Sequence, residues 1–221
     1  MDTSFSTAAI ILAAGTSSRM SSGRNKLLLP LHGRPVLAHV IDATIASQAR
    51  PILIVLGHQI ELVRSHIKPH TIHHDITLIE NMNYLQGMST SLRMGVQMLL
   101  SHGYRKPSTS YQVDSALIML GDQPMVTPQV IDSLIGAYRT TGRSIVAPLY
   151  NGKRGSPVLF ERRLFSELIE VTRDEGGRTV LVRHRLEGEL VEMGNAMANY
   201  DVDTWEAYQQ VLEAWERKGK E

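Results

Sequence analysis

Short, almost continuously apolar runs recur along the sequence, and they limit the chain to few folds. A strand with one face in water alternates apolar and polar residues, whereas a strand buried on both faces is apolar throughout. Runs of this second kind are Ala9–Ala13, Ile52–Leu56, Ile76–Ile79, Ala116–Leu120, Ser144–Pro148 and Pro157–Phe160. They predict a sheet that helices cover on both sides.

Amphipathic segments separate these runs. Residues Pro35–Ser47 and Ser89–Ser101 carry apolar side chains at helical spacing, and the chain closes with a helix that contains Trp205. Thr127 followed by Pro128 is typical of an N-cap and a first helical residue. Strands that alternate with helices form right-handed βαβ units, so the sequence predicts an α/β fold with a mostly parallel sheet.

The length of 221 residues fits a single domain over residues 1–221. The turn-forming residues Asn151–Gly155 predict a hairpin, which we interpret as a small insertion around residues 148–160 that faces the second substrate. Residues Gly103–Asp114 lack periodicity and predict a mobile surface loop.

Composition excludes several classes of protein. The chain has no cysteine, which rules out disulfides and thiolate metal ligands and favours a cytoplasmic location. The formal net charge of +1 gives no reason to expect nucleic acid or a membrane surface as a partner. The apolar run Ala8–Ala14 is too short to span a membrane and lacks the flanks of a signal peptide.

The segment after the first apolar run has the composition of a phosphate-binding loop. It reads Leu12-Ala13-Ala14-Gly15-Thr16-Ser17-Ser18-Arg19-Met20, with Lys26 following, and no acidic residue lies between Asp2 and Asp42. Small residues let the backbone approach a ligand, and N–H groups, hydroxyls and cations bind phosphate oxygens. The loop matches neither the Walker A nor the dinucleotide-binding pattern. On spacing alone, a solvated surface loop is an equal alternative.

Aspartates occur at two places that suit a metal ion. Asp122 follows a buried strand at its carboxyl end, where α/β folds bind ligands, and carboxylates suit Mg²⁺. Asp201 and Asp203 share one side of an extended segment before the last helix. The alternatives are that Asp122 forms a turn before Pro124, and that Asp203 caps the helix together with Glu206.

Residues Gln86-Gly87-Met88-Ser89 open a predicted helix. The N-terminal N–H groups of a helix favour anions, which makes this segment a candidate ligand contact. Ser89 is equally well explained as the N-cap of that helix.

Histidines cluster at His66, His70, His73 and His74. Their spacings are mixed and no cysteine accompanies them, so we interpret the cluster as a solvated loop rather than a metal site.

Motifs along nearly the whole chain resemble those of the MobA-like nucleotidyltransferases. The loop Leu12-Ala13-Ala14-Gly15-x-Ser17-x-Arg19-Met20 with Lys26 is similar to the signature loop of that family. Later motifs resemble its molybdenum cofactor cytidylyltransferase branch: Asn81-x-x-Tyr84-x-x-Gly87-Met88-x-x-Ser91-Leu92, Gly121-Asp122-Gln123-Pro124, Gly155-x-Pro157, Gly177-Arg178 and Asp201-Val202-Asp203-Thr204. The family often has Met-Gly after the arginine, whereas Ser21-Ser22-Gly23 follows Met20 here, so the loop is expected to differ in shape.

The resemblance implies a fold and an activity. The fold is a Rossmann-like three-layer αβα sandwich of the nucleotide-diphospho-sugar transferase type. The activity is Mg²⁺-dependent transfer of CMP from CTP to the terminal phosphate of molybdopterin, with release of pyrophosphate. A molybdoenzyme or its maturation factor is the implied docking partner. CTP is expected over GTP, because the guanylyl branch typically has glycine where this loop has Ala13-Ala14, and a methyl group would narrow the base pocket.

The resemblance also implies roles for individual residues. Arg19, Lys26 and Asp122 are expected to act in catalysis, and Asp122, Asp203 and, less strongly, Asp201 to bind the metal ion. The expected nucleotide-binding residues are Leu12, Ala13, Ala14, Gly15, Arg19, Lys26, Asn81, Gly87, Ser89 and Gly121. The expected acceptor-binding residues are Gly155, Pro157, Gly177 and Arg178.

Three alternative functions stay open at this point. A sugar-1-phosphate nucleotidyltransferase would share the nucleotide site and differ in its acceptor pocket. A guanylyltransferase would use GTP instead of CTP. A carrier that binds finished cofactor would catalyse no transfer.

Overall fold

The computed structural model describes residues 6–20, 23–72, 76–101, 113–172, 177–194 and 196–218. Within these ranges the strands are β1 (Thr7–Ala13), β2 (Pro30–Leu31), β3 (Arg34–Pro35), β4 (Ile52–Leu56), β5 (Ile76–Glu80), β6 (Ser115–Leu120), β7 (Ile145–Tyr150), β8 (Lys153–Arg154), β9 (Val158–Glu161) and β10 (Gly188–Glu192). The α-helices are α1 (Val36–Ile45), α2 (Ile60–Thr71), α3 (Met88–Leu100), α4 (Pro128–Thr141), α5 (Phe165–Glu170), α6 (Arg178–Arg183) and α7 (Trp205–Lys218).

The main sheet is mostly parallel, as the apolar runs predict. Its strands lie in the order β10-β7-β9-β6-β1-β4-β5, with β8 paired to β7. The four neighbours β6, β1, β4 and β5 are parallel to one another, while β9 runs antiparallel between β6 and β7. Because β1 lies among parallel strands, the loops that follow β1, β4 and β6 emerge at one edge of the sheet.

Helices cover both faces of the sheet and form three layers. Ala9 and Ile11 of β1 belong to a core shared with α1 and α4, and Ala8 and Ile10 belong to a core shared with α3 and α5. Gly95 lets α3 approach β1 closely, since a Cβ there would lie 2.5 Å from Ile10 Cγ2. The alternation of buried faces along β1 confirms the predicted α/β fold.

Local signals placed two features correctly. The side chain of Thr127 accepts a hydrogen bond from Val130 N at 3.4 Å, so it caps α4 as predicted. Asn151 and Gly152 have φ values of 48° and 73° and connect β7 to β8. Both central residues of this two-residue turn therefore lie in the left-handed region, the conformation of a type I′ hairpin.

The prediction that the histidine cluster lies in a loop is wrong for His66 and His70. His66 and His70 lie on α2, whose Val63 and Ile67 are fully buried. His70 Nδ1 lies 2.9 Å from Asp42 Oδ1 on α1. The helix presents only two fully buried positions to the core, and Pro69 lies within it, which explains why the pattern was missed. His73 and His74 lie outside the described residues, as does most of the predicted loop at 103–114. None of the helices in the described ranges has the length and apolarity that crossing a membrane requires.

Candidate active site

The loop after β1 is held by its apolar anchor and by Ser17. Met20 is buried in a small core with Leu29 and Tyr208. Its backbone N–H donates to the carbonyl of Ser17 at 2.9 Å. The hydroxyl of Ser17 accepts a hydrogen bond from the backbone N–H of Lys26 at 3.0 Å. These contacts fix the backbone next to Arg19 and the backbone of Lys26.

Glycines at the ends of the neighbouring strands allow this loop to pack closely. A Cβ on Gly57, after β4, would lie 2.6 Å from Ala14 Cβ. A Cβ on Gly121, after β6, would lie 3.2 Å from Ala13 Cβ. Both alanine methyl groups are therefore buried against adjacent strand ends. The expectation that these methyl groups narrow the base pocket stays a prediction.

Lys26 lies between two carboxylates that are distant in the sequence. Its Nζ donates to Asp122 Oδ2 and, at 2.7 Å, to Asp203 Oδ1. The Lys26 side chain is only 13% exposed, so the alternative of a solvated surface loop is wrong for this residue. Burial disfavours the charged ammonium, but the charges and hydrogen bonds of the two carboxylates outweigh it and raise the pKa of Lys26. The ammonium is therefore charged at neutral pH.

Arg19 adds a second cation at the edge of this cluster. Its Nη1 lies 2.8 Å from Asp203 Oδ2, and its side chain is 70% exposed. Asp203 thus accepts from both cations, whereas Asp122 accepts from Lys26. We refer to Arg19, Lys26, Asp122 and Asp203 as the charged cluster.

Backbone contacts bring the segment before α7 to the end of β6. The N–H of Val202 donates to the carbonyl of Asp122 at 3.0 Å, and the side chain of Val202 is fully buried. Thr204, not Asp203, caps α7, since its Oγ1 accepts from Ala207 N at 3.2 Å. The alternative that Asp203 is the cap is wrong, because its carboxylate faces Arg19 and Lys26 instead.

Gln123 is a site residue that the sequence reasoning did not single out. Its Nε2 donates to Asp201 Oδ1 at 2.6 Å, and the whole residue is 2% exposed. Within the described ranges, its Oε1 is a buried side-chain atom without a hydrogen-bond partner. Burial, followed by the nearby charge of Asp122, raises the pKa of Asp201 to about 6. The position of Gln123 directly after Asp122 was the available signal.

The chemistry of this donor set suits a divalent metal ion. One ammonium already contacts both Asp122 and Asp203, which shows that a single cation reaches the two carboxylates. In the part of the chain that is described, no group of three or more His, Cys, Asp or Glu side chains is placed to hold a metal ion. Mg²⁺ commonly takes one or two carboxylates and completes its shell with phosphate oxygens and water. Asp122 and Asp203 fit that pattern.

The segment from Asn81 to Ser91 is held by buried hydrogen bonds. Asn81 Nδ2 donates to Thr90 Oγ1 at 2.8 Å and to Ser91 Oγ at 2.9 Å. Its Oδ1 accepts from Asn83 N at 2.9 Å. These internal contacts give Asn81 a role in shaping the loop. Its predicted contact with the nucleotide stays a prediction.

The start of α3 differs from one of the two interpretations of Ser89. The N-cap residue is Gly87, with φ of 107°, and it makes no side-chain capping bond. The interpretation of Ser89 as the N-cap is therefore wrong. Ser89 is buried in the first turn, and its predicted contact with the nucleotide stays a prediction.

The predicted acceptor residues divide into two places. Gly155 lies against Asn199, whose Oδ1 would be 2.2 Å from a Cβ at that glycine. The hairpin thereby adjoins the segment that carries Asp201 and Asp203. Gly177 instead packs on the ring of Phe160, with an added Cβ 2.8 Å from its Cζ.

The other two acceptor residues follow these glycines. Pro157 is buried directly before β9, and Arg178 is exposed at the start of α6. The acceptor-binding role of all four residues stays a prediction.

Comparison with known proteins identifies related chains. The family model of the MobA-like NTP transferase domain matches residues 9–188. The bifunctional protein GlmU of Pelobacter propionicus is 28% identical over 177 residues, covering 79% of this chain and 33% of that protein. GlmU of Acinetobacter baylyi is 31% identical over 140 residues, covering 63% and 27%. The chain spans about a third of the length of the curated relatives it matches.

Solved structures share the fold over almost the whole chain. A homologue of Mycobacterium tuberculosis Rv0371c from Mycobacterium sp. strain JC1 has a TM-score of 0.78 and 26% identity, covering 96% of this chain and 97% of that chain. Rv0371c of M. tuberculosis H37Rv in complex with manganese has a TM-score of 0.71 and 25% identity, covering 95% and 99%. A Methanothermobacter nucleotidyl transferase, with a TM-score of 0.77 and 20% identity, covers 96% and 99% and shows the fold alone.

Proposed function

The chain belongs to the MobA-like NTP transferase domain family, and on that premise we propose that it transfers CMP from CTP to the terminal phosphate of molybdopterin. The observation that carries nucleotidyl transfer is the charged cluster at the carboxyl ends of β1 and β6. Two cations there can neutralise a triphosphate, and two carboxylates can bind a metal ion. CTP and molybdopterin are supported by the motifs that resemble the cytidylyltransferase branch.

The reaction places few covalent demands on the protein. An oxygen of the acceptor phosphate attacks the α-phosphorus of the nucleotide, the bond from that phosphorus to the bridging oxygen breaks, and pyrophosphate leaves. Rate enhancement in such transfers comes mainly from alignment and from neutralising charge. Lys26 is buried and charged, so it is suited to hold a phosphate oxygen in a fixed position. Arg19 is 70% exposed at the edge of the cluster, so its guanidinium is suited to contact the outer phosphates.

Asp122 and Asp203 would hold the metal ion. A bound Mg²⁺ would neutralise charge on the phosphate oxygens of the donor. Support for a divalent ion comes from the reach of the two carboxylates and from the manganese complex of Rv0371c. The hydrogen bond from Gln123 to Asp201 links the Asp122 loop to the segment that carries Asp203.

A sugar-1-phosphate is the second candidate acceptor. The similarity to GlmU favours a nucleotidyltransferase that shares the donor site and differs at the acceptor. The exposed side of the 148–160 hairpin, beside Asn199, is where the two acceptors would be distinguished.

Pyrophosphate release separates these possibilities. Each of CTP, GTP, ATP and UTP is combined with molybdopterin, with a sugar-1-phosphate, or with no acceptor, in the presence of Mg²⁺. The proposal expects release that requires molybdopterin and is fastest with CTP. Faster release with a sugar-1-phosphate would transfer the proposal to the second candidate. Equal or faster release with GTP would refute the choice of CTP, and no release with any pair would favour a non-catalytic carrier.

A further inference from the structure

The two halves of the proposed site neutralise each other. Lys26, proposed to bind triphosphate, donates to both Asp122 and Asp203, proposed to bind the metal ion. The side chains of Lys26, Asp122 and Asp203 are 13%, 12% and 25% exposed. The ion pairs of Lys26 are therefore largely buried. The neighbouring pair of Arg19 and Asp203 differs, because the arginine side chain is 70% exposed.

The ammonium cannot turn fully toward a phosphate and still hold both carboxylates. Lys26 has three N–H donors, and two of them already point at carboxylate oxygens in a fixed geometry. If Lys26 turns toward a phosphate, Asp122 loses its counter-charge and Asp203 keeps only the exposed Arg19, while both carboxylates stay mostly buried. Removing one partner of a buried ion pair is strongly unfavourable, because the remaining charge is uncompensated.

The same argument applies to a divalent ion. The positive charge of Lys26 between the two carboxylates repels a divalent ion from them until Lys26 moves away. An ion that takes its place leaves the ammonium buried without a carboxylate, unless an anionic ligand accepts it. A triphosphate supplies that anion, and the metal ion supplies the counter-charge for the carboxylates.

We propose that Lys26 keeps the carboxylate pair closed to divalent ions in the free protein, and that triphosphate and metal ion exchange it cooperatively. The inference rests on the donor site of the proposed function. Each ligand raises the affinity of the other by the same factor, since coupling between two binding equilibria is reciprocal. The exchange concerns Lys26, and the exposed contact of Arg19 with Asp203 is kept. Because Lys26 must leave the carboxylates for either ligand to bind, neither the triphosphate nor the metal ion binds tightly without the other.

Metal binding without any nucleotide tests the exchange directly. The probe is Mn²⁺, titrated into nucleotide-free protein and followed by the electron paramagnetic resonance signal of the free ion. Lys26→Met removes the ammonium and keeps an apolar chain of similar length. The matched control is Lys68→Met, at an exposed lysine on α2. Couplings between sites are typically about 5- to 150-fold, so Lys26→Met is expected to bind Mn²⁺ about tenfold more tightly than the wild type, and Lys68→Met like the wild type.

Two outcomes overturn the inference: an increase in affinity smaller than threefold for Lys26→Met, or an equal increase for Lys68→Met. If Lys26→Met does not give the circular dichroism spectrum of folded protein, Lys26→Gln receives the same titration and is judged by the same threshold. Nucleotide and acceptor are absent from this experiment. The Mn²⁺ titration can therefore refute the exchange while pyrophosphate release supports the proposed function. Pyrophosphate release can likewise refute the proposed function while the titration supports the exchange.

Discussion

Replacing Asp203 by asparagine separates its role at the active site from a role in the fold. Asp203 accepts hydrogen bonds from Lys26 and Arg19, and neighbouring Thr204 caps α7. Asp203→Asn keeps the shape of the side chain and removes its charge. Thr204→Ala removes the cap and leaves the charged cluster intact. The two adjacent changes thus form a matched pair.

The expected effects differ in turnover and agree in stability. Lys26 keeps Asp122 as a partner, and the exposed contact of Arg19 contributes little, so Asp203→Asn should cost about 1 kcal/mol of unfolding free energy. Loss of the cap by Thr204→Ala should also cost about 1 kcal/mol. Either loss lowers Tm by about 2–4 °C in a chain of this size. A hydrogen bond to a charged group is worth about 1.5–3 kcal/mol, so Asp203→Asn should lower kcat/KM about 10- to 100-fold.

Thermal unfolding and pyrophosphate release at several Mg²⁺ concentrations measure both quantities. Thr204→Ala should keep the turnover of the wild type. The double variant Asp122→Asn with Asp203→Asn should lose less than the product of the two single losses, because both carboxylates act on one ion. A fully active Asp203→Asn protein would refute the reasoning. So would an equal loss of turnover in Thr204→Ala, or strictly multiplicative losses in the double variant.

Two further predictions concern stability. Gly95→Ala should destabilise the protein by about 1–3 kcal/mol, because the added Cβ would lie 2.5 Å from Ile10 Cγ2. Gly136→Ala, on α4 with no atom within 4 Å of the added Cβ, should stabilise the protein by about 0.4–1 kcal/mol. Urea unfolding compares the two variants, and equal changes in their unfolding free energy would contradict the packing of α3 on β1. Hydrogen bonds and charges from its two glutamate partners raise the pKa of His184, so its stabilisation is complete below the ordinary pKa of 6.5 and is lost as pH rises through the higher folded value. Urea unfolding between pH 6 and pH 9 should show a larger loss of stability in the wild type than in His184→Gln, and parallel curves would argue against this network.

Periodicity accounted for the layers of the fold. Apolar runs and amphipathic segments depend on nearest neighbours in the chain, so they predicted the strands of the parallel block and the helices α1, α3 and α4. They missed α2, whose fully buried face is only Val63 and Ile67. They also missed β10 at the sheet edge, where two of the five residues are exposed and none is buried. Edge elements bury little, and their sequences therefore carry a weak pattern.

Residue chemistry indicated the candidate site, and family resemblance narrowed it. The acid-free segment with Arg19 and Lys26, and the aspartate after β6, are candidates from the sequence alone. Alternatives for Asp203 and Ser89 could not be decided from spacing, since a cap and a ligand contact use the same residue types. The structure excluded the capping alternative in both cases, because Thr204 caps α7 and Gly87 precedes the first residue of α3.

The sequence by itself determined which side chains carry charge and which segments form the buried sheet, because both properties are local. Only the tertiary structure decided that Lys26 donates to Asp203, 177 positions away, as well as to Asp122. These contacts depend on the parallel pairing of β1 with β6, which brings the ends of both strands together. They also depend on the buried Val202, which holds the segment before α7 at the end of β6. The orphaned oxygen of Gln123 and the buried ammonium of Lys26 are products of the same packing, since burial is a property of the assembled layers and not of any one segment.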